Sequence, residues 1–258
     1  MTRFAFAGNR GVAFKCLQHL IENGEHPEAL LVPSGEHSQL RDLSGLTPER
    51  ILVGPEFRQE KGIELLGSLD LDYIIGVHFP YIVPESVLSI PRIGALNLHP
   101  ALLPHNRGWH TASWAIIEGT PIGATLHFMD AGVDTGDIVA QAAIEVRPDD
   151  TAHTLYARLL DLEFELFRSS WPLLASGRPP RMSQSPDEGT SHNRAELGAD
   201  SIRRLDLDAS TSNGDLLKTL RALTTSDIGE AAYFEADGTR YRVQITITPE
   251  DPGETRDV

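Results

Sequence analysis

The chain has 258 residues, 40% of them hydrophobic and 23% charged, a globular composition that excludes a disordered, collagenous or membrane-embedded protein. Its length suits one α/β domain, or a large domain with a small appendage. Thirty-seven acidic residues against 22 basic give a net charge of −15. That field repels phosphate backbones and anionic lipid, so neither nucleic acid nor a membrane surface is expected as a partner. Lysine occurs only at positions 15, 61 and 218. Arginine therefore carries most of the positive charge, and its forks suit isolated carboxylates, phosphates and diphosphates. A small anionic ligand fits this balance. No apolar run approaches the length of about eighteen residues that a membrane span needs. The opening MTRFAFAGNRG lacks the apolar region of a signal peptide. A lone cysteine, Cys16, leaves a reducing compartment as the default, and the cytoplasm is the expected location.

Taken in chain order, residues 3–7 form a short apolar run ending in Gly8. A helical pattern follows, with Val12, Cys16, Leu17, Leu20 and Ile21 on one face. Residues 29–32, 71–77 and 93–98 are further short apolar runs, with helical segments such as 56–69 between them. Continuous apolar strands alternating with helices predict a buried parallel sheet. Residues 109–118 are expected to be helical, and 123–129 and 137–145 to be strands flanking DAGVDTGD. Asp150 or Thr151 can then cap a long amphipathic helix whose face is Leu155, Leu159, Leu162 and Leu166. Trp171-Pro172 and SGRPP at 176–180 punctuate its end. The tail from Asp187 counts 15 acidic and 8 basic residues, a net of −7. It is expected to hold a helix over 215–223 and a hairpin, 231–235 with 240–248, turning on Asp237-Gly238. The resulting fold class is an α/β core over residues 1–180, a small C-terminal α+β appendage over 187–248, and a frayed tail over 249–258.

Two places invite chemistry. The first is the βα turn Gly8-Asn9-Arg10-Gly11, where free backbone N–H groups at a helix start favour an anion. It matches neither GxGxxG nor GxxxxGK[ST]. Asn9 and Arg10 are placed to meet a diphosphate or ribose, and a plain tight turn reads equally well. The second is residues 93–137. Asn97 and His99, two apart at the end of a strand, share one face at the sheet edge where open α/β folds place their sites. Asp134 lies in a glycine-flanked loop that could swing beneath them. An amide can donate to an oxyanion, imidazole can shuttle a proton, and a carboxylate can orient it. From spacing alone, a histidine after an apolar strand is more often a hydrogen-bonded structural residue. Metal ligation lacks any HExxH or CxxC grammar, so no metal is expected.

The run NLHPALLPHNRG followed by DAGVDTGD resembles the 10-formyltetrahydrofolate-dependent formyltransferase family. The shared pattern is Asn97-x-His99, then Leu102-Leu103-Pro104, Arg107-Gly108 and Asp134-Thr135-Gly136-Asp137, with PIGATLHFMD and GDIVAQ in order around it. The resemblance covers residues 3–180. It implies a Rossmann-like fold, 10-formyltetrahydrofolate as formyl donor, no metal, and Asn97, His99 and Asp134 as the catalytic set. In that reading Asn97 and protonated His99 stabilise the oxyanion, and His99 with Asp134 handles the proton leaving the acceptor amine. The resemblance also implies that the loop His78, Phe79, Pro80, Tyr81, Ile82 and Val83 helps enclose the pterin. Met129, Asp130, Ala131, Gly132 and Val133 would form its other side, largely through backbone groups. Phe79 and Tyr81 fit equally as apolar plugs beneath their loop.

The acceptor is read from the branch that the chain resembles. Sugar-nucleotide N-formyltransferases are similar to it in the opening Gly-Asn turn, in HPALLPHNRG, and in the tail segments LRAL (220–223) and AAYF (231–234). They act on nucleotide-linked amino deoxysugars and are commonly dimers, so a homodimer is an expectation. Asn9, Arg10, Arg107, Trp109 and His110 are then the acceptor-contact candidates, with Arg107 equally a structural brace. A hydroxyornithine or other small-amine formyltransferase is the alternative. Methionyl-tRNA and glycinamide ribonucleotide formyltransferases fit less well, the first because the tail is short and acidic, the second because Asn9-Arg10 replaces a serine-rich phosphate loop. A formyl-folate hydrolase and a non-catalytic folate or sugar-nucleotide binder complete the alternatives.

Overall fold

A computed structural model of the chain describes residues 2–34, 38–185 and 187–250; the side chains of Arg10 and Ser38 lie outside it. In chain order the elements are β1 (Phe4–Gly8), α1 (Arg10–Glu22), β2 (Ala29–Val32), α2 (Ser38–Ser44), β3 (Ile51–Val53), α3 (Glu60–Gly67), β4 (Tyr73–Val77), α4 (Glu85–Leu88) and β5 (Gly94–His99). Then come β6 (Arg107–Gly108), α5 (Thr111–Glu118), β7 (Ile122–Phe128), β8 (Ile138–Ile144) and α6 (Ala152–Ala175). The chain ends with β9 (Ser191–His192), α7 (Asp200–Arg203), α8 (Asn213–Leu223), β10 (Ala232–Ala236) and β11 (Thr239–Val243).

Seven strands form one sheet in the order β3-β2-β1-β4-β5-β7-β8. The first five are parallel, β7 runs antiparallel to β5, and β8 runs antiparallel to β7. Strand alternation sorts β1 between two cores. Phe4 and Phe6 join Leu17, Leu30, Ile75, Leu98 and Trp171 on one face, while Ala5 and Ala7 join Leu31, Phe57, Leu66 and Ile74 on the other. Helices α1 and α6 cover the first face and α3 the second, giving three layers.

The expected helical face of α1 is buried at Val12, Cys16, Leu17 and Leu20, with Ile21 packed at its rim. Thr151 caps α6, its Oγ1 accepting from the Thr154 N–H at 3.3 Å. Leu155, Leu159 and Leu166 are buried along α6, and so is Glu163. The helix passes through Pro172 and ends a turn later, because proline forfeits one donor without halting a final turn.

Other boundaries move for local reasons. The helix expected over 56–69 divides into a tight turn at Gly54–Arg58 and α3, because Gln59 is extended between them. The short strand β3 precedes that turn, where no strand was expected. The helix expected from Trp109 begins at Thr111, since His110 takes the left-handed conformation with φ 58°. The hairpin turns on Asp237-Gly238 with φ of 50° and 75°. Its second strand stops at Val243; Ile245 instead donates its N–H to Thr224 Oγ1 at 3.1 Å. Residues 251–258 of the expected frayed tail lie outside the described ones.

The C-terminal elements are packed onto α5. Trp114 is buried with Leu197, Leu220, Leu223 and Ala232. Among the described residues, no helix is long and apolar enough to cross a membrane.

Candidate active site

β5 ends at His99, and its register sets Asn97 against Gly76 of β4 on one side and His127 of β7 on the other. Gly76 leaves room there. A Cβ would come within 2.7 Å of the Met129 terminal methyl and 3.1 Å of the Leu96 carbonyl, crowding Asn97 Oδ1 at 3.4 Å as well. The site thus forms where the sheet changes from parallel to antiparallel.

Asp134 comes to this edge on the loop after β7, with φ 54°, a conformation that a non-glycine residue adopts only when its surroundings impose it. Its carboxylate is held from three directions. Oδ2 accepts the Gly108 N–H at 2.9 Å and lies 3.6 Å from His99 Nε2. Oδ1 accepts from Asn97 Nδ2 at 3.3 Å and lies 3.5 Å from His127 Nε2. Burial alone would push the carboxyl up. The charges of His99 and His127 and the bonds from His127 and Gly108 outweigh burial and hold Asp134 far below the usual carboxylate range. It is ionised at any working pH.

Hydrogen-bond chemistry assigns the two histidines. His99 Nε2 sits 3.1 Å from the Asn106 carbonyl, which can only accept, so Nε2 carries a proton. His127 Nδ1 sits 2.7 Å from the Phe128 carbonyl and carries one for the same reason. His127 Nε2 then faces Asn97 Nδ2 at 3.3 Å. Asn97 Nδ2 thus donates to Asp134 Oδ1 and lies beside a His127 nitrogen that also faces that oxygen, in contacts long enough to be exchanged for a better acceptor.

The segment between β5 and α5 is fixed by polar contacts. Thr125 Oγ1 donates to the Ala101 carbonyl at 2.7 Å and accepts from the Leu103 N–H at 3.2 Å. Asn106 is buried and donates to Thr120 Oγ1 at 2.9 Å. Arg107 is buried too: Nε and Nη2 donate to Gln184 Oε1 at 3.3 and 2.9 Å, and Nη1 to the Glu188 carbonyl at 3.3 Å. Its guanidinium braces the protein.

The remaining expected residues divide. The His78 ring turns onto α6, where Nε2 donates to the buried Glu163 carboxylate at 2.8–2.9 Å and Nδ1 lies 3.3 Å from Tyr156 Oη. Phe79 and Tyr81 pack edge-on with Phe57 beneath their loop, and Tyr81 Oη donates to the Pro33 carbonyl. Val83 joins the same core. Pro80 and Ile82 stay in the open, Ile82 at 79% exposure. Across from them, Asp130 Oδ1 accepts from the Gly132 N–H at 3.0 Å and from Thr135 Oγ1 at 2.6 Å, closing the loop on itself. Ala131, Gly132 and Val133 are exposed, Val133 at 54%. Trp109, 41% exposed, has the Arg194 guanidinium 5.1 Å above its ring and lies beside His110. Asn9 precedes α1 with its N–H bonded to the Val77 carbonyl. Nothing is described of the Arg10 side chain.

Sequence reasoning missed His127 and Gln184. His127 stands inside an apolar strand, and only the pairing register reveals that it faces Asn97. Gln184 Nε2 donates to the carbonyls of Asp134 and Gly136 from about fifty positions away in the chain, at 2.9 and 2.7 Å. No periodicity signals such a partner.

Residues 47–170 match the formyl transferase family model, and residues 199–249 match the N-formyltransferase dimerization C-terminal domain. The dTDP-4-amino-4,6-dideoxyglucose formyltransferase of Mycobacterium tuberculosis is 32% identical over 195 residues, covering 76% of this chain and 80% of that protein. A methionyl-tRNA formyltransferase of Geobacter sulfurreducens is 34% identical over 192 residues, covering 70% of this chain and 61% of that protein. Among solved structures, a 4-N formyltransferase from Francisella tularensis superposes with a TM-score of 0.79 at 24% identity, over 96% of this chain and 98% of that one. The Helicobacter canadensis N-formyltransferase, solved with folinic acid and dTDP-3-aminofucose, superposes with a TM-score of 0.68 at 18% identity, over 93% and 86%. With its Asn97, His99 and Asp134 drawn together at the sheet edge and a relative of this identity matched over most of its length, the chain belongs to the formyltransferase family.

Proposed function

We propose that this enzyme moves the formyl group of 10-formyltetrahydrofolate to the amine of a nucleotide-linked amino deoxysugar. The observation that carries the reading is the convergence of Asn97, His99 and an ionised Asp134 at one sheet edge. The folate donor supplies a formyl carbon open to attack by an amine. Its place is between the loops of residues 78–83 and 129–133, where Ile82 and Val133 leave apolar surface uncovered. Flat apolar rings are suited to cover such surface.

Each catalytic group has a defined task. Asn97 gives one of its N–H groups to the formyl oxygen as negative charge builds there. His99, holding its proton at Nε2, has its second ring nitrogen left to accept the proton that the acceptor amine must lose. Asp134, 3.6 Å from Nε2, stabilises the imidazolium that results. The same proton then passes to N10 of the donor as the formyl carbon–N10 bond breaks, and tetrahydrofolate leaves. His127 holds Asn97 and Asp134 in register.

The acceptor side is assigned to Asn9, Arg10, Trp109 and His110, with Arg194 added by its place over the Trp109 ring. Arg107 is assigned to bracing. An aromatic face with a guanidinium beside it suits a nucleoside diphosphate. A sugar-nucleotide acceptor is supported by the Mycobacterium relative and by the ligands of the Helicobacter structure. Transfer to tRNA is opposed by the net charge of −15. We also assign residues 1–180 to the catalytic domain, 187–248 to an appended unit that pairs two copies, and the cytoplasm as the location; the dimerization-domain match supports the pairing.

The test is a coupled assay with 10-formyltetrahydrofolate and dTDP-, UDP- and GDP-linked amino sugars. It follows tetrahydrofolate release and identifies the formamide by mass. A formylated sugar nucleotide is expected. Turnover of hydroxyornithine alone would move the acceptor to small amines. Formate release without any acceptor would make the protein a hydrolase. Folate binding with no turnover would make it a binder.

A further inference from the structure

After α6 the chain returns across the site before it reaches α7. Met182 and Ile138 exchange both backbone bonds, at 2.8 and 2.9 Å, and Ser183 Oγ donates to Asp137 Oδ1 at 3.0 Å. Gln184 then reaches into the catalytic loop. Its amide nitrogen donates to the Asp134 and Gly136 carbonyls at 2.9 and 2.7 Å, and its oxygen accepts twice from Arg107. Both donors and the acceptor of the side chain are thus in use. A few residues on, the Arg107 N–H donates to the Thr190 carbonyl and the Trp109 N–H to the His192 carbonyl, at 2.9 and 3.0 Å. Between them the Gly108 N–H faces the other way and meets Asp134 Oδ2. One connector therefore holds both ends of the Gly108–Asp134 bond.

We infer that Gln184 is a positioning residue for Asp134. Asp134 sits at φ 54°, a conformation that persists only where neighbours over-determine it. Gln184 supplies that constraint by capturing the Asp134 carbonyl and, two residues on, the Gly136 carbonyl. Gly136 admits no side chain in this packing, since a Cβ there would lie 2.0 Å from the Phe128 carbonyl oxygen. The catalytic consequence rests on the formyl-transfer reading above; the positioning itself does not. The competing account is that Gln184 serves only to satisfy Arg107.

The isosteric Gln184→Glu variant separates the two accounts. A carboxylate still accepts from Arg107, and charge strengthens that pair, but it cannot donate to either loop carbonyl. In the full chain, the Gly108 amide reports the Asp134 bond directly by hydrogen exchange measured with NMR. Gly108 is expected to exchange about tenfold faster or more in the variant, with the amides of the β4–β5 ladder unchanged, as befits a local opening. In the formylation assay kcat is expected to fall about 10²-fold, as for a catalytic group displaced by an ångström, with KM for both substrates within about twofold. Unchanged Gly108 exchange overturns the inference whatever the assay shows. Faster exchange with unchanged kcat overturns it too. If the wild type formylates nothing, the formyl-transfer reading fails, while the exchange measurement still decides the positioning role. If Gln184→Glu does not fold, Gln184→Asn takes its place: it keeps every donor and acceptor one methylene short, and the same selective loss at Gly108 is expected.

Discussion

The imidazole of His99 gives its Nε2 proton to the carbonyl of Asn106, 3.1 Å away, while the Asp134 carboxylate waits 3.6 Å from the same nitrogen. The ring is thereby held with its Nε2 proton between that carbonyl and the carboxylate. His99→Asn should lower kcat by about 10²–10⁴-fold, the usual worth of a positioned proton-transfer group. The KM for the folate donor should change little. Steady-state kinetics with both substrates varied checks the split; a change confined to KM would assign His99 to binding instead.

Asp134 also marks the pH dependence of stability. Its folded pKa is lowered, so its contribution is complete above the unfolded aspartate value of about 3.9 and drains as pH falls towards the folded value. Below about pH 5 the unfolded chain takes up a proton that the native site refuses, and stability must rise with pH there. Urea midpoints between pH 6 and pH 3 should therefore fall more steeply for the wild type than for Asp134→Asn. Parallel curves would mean that the carboxylate is not held as described.

Glu163 is wholly buried, and its carboxylate accepts from the His78 ring. Removing one member of such a pair strands a buried charge, at a cost of about 3–5 kcal/mol. His78→Leu should show that loss in urea unfolding. Glu163→Gln, whose amide oxygen still accepts from Nε2, should cost about 1–3 kcal/mol. If the two variants are equally destabilised, packing and not charge governs this site.

Gly108 has φ 89°, and a Cβ there would come within 2.2 Å of the His192 carbonyl oxygen. Because that neighbour is backbone, it cannot rotate away. Gly108→Ala should cost about 1–3 kcal/mol in backbone strain and should also displace the N–H that binds Asp134. Thermal unfolding and kcat should therefore fall together. A variant that is destabilised but fully active would show that the Gly108–Asp134 bond has no part in turnover.

The parts of this site that the sequence announces are those tied to a repeat or a motif. Asn97 and His99 share a face because strand side chains alternate, and apolar runs between helices disclosed the parallel sheet. The two antiparallel strands were visible as apolar runs without their direction, which depends on a register no local pattern encodes. His127 is hidden for that reason. His78 opens the loop expected to enclose the pterin, and that its ring bonds Glu163 of α6 follows from packing that no local pattern encodes. Arg107 was open to two readings; Gln184, far along the chain, engages it as a brace. Helix starts were misplaced at Gln59 and His110, where one residue leaves helical geometry and composition gives no warning.

Because β9 pairs with β6 and α5 shares Trp114 with the C-terminal core, the seven-stranded sheet layers and the C-terminal elements are sewn together over residues 182–197. Swapping C-terminal modules between relatives is then constrained by where the seam is cut. A graft joined before Met182 replaces the scaffolding of Asp134 along with the module. One joined after Leu197 leaves that scaffolding native, though it must still cover the side of Trp114 that Leu220, Leu223 and Ala232 bury. The seam, more than the sheet edge it braces, sets how freely this chain can exchange its C-terminal elements.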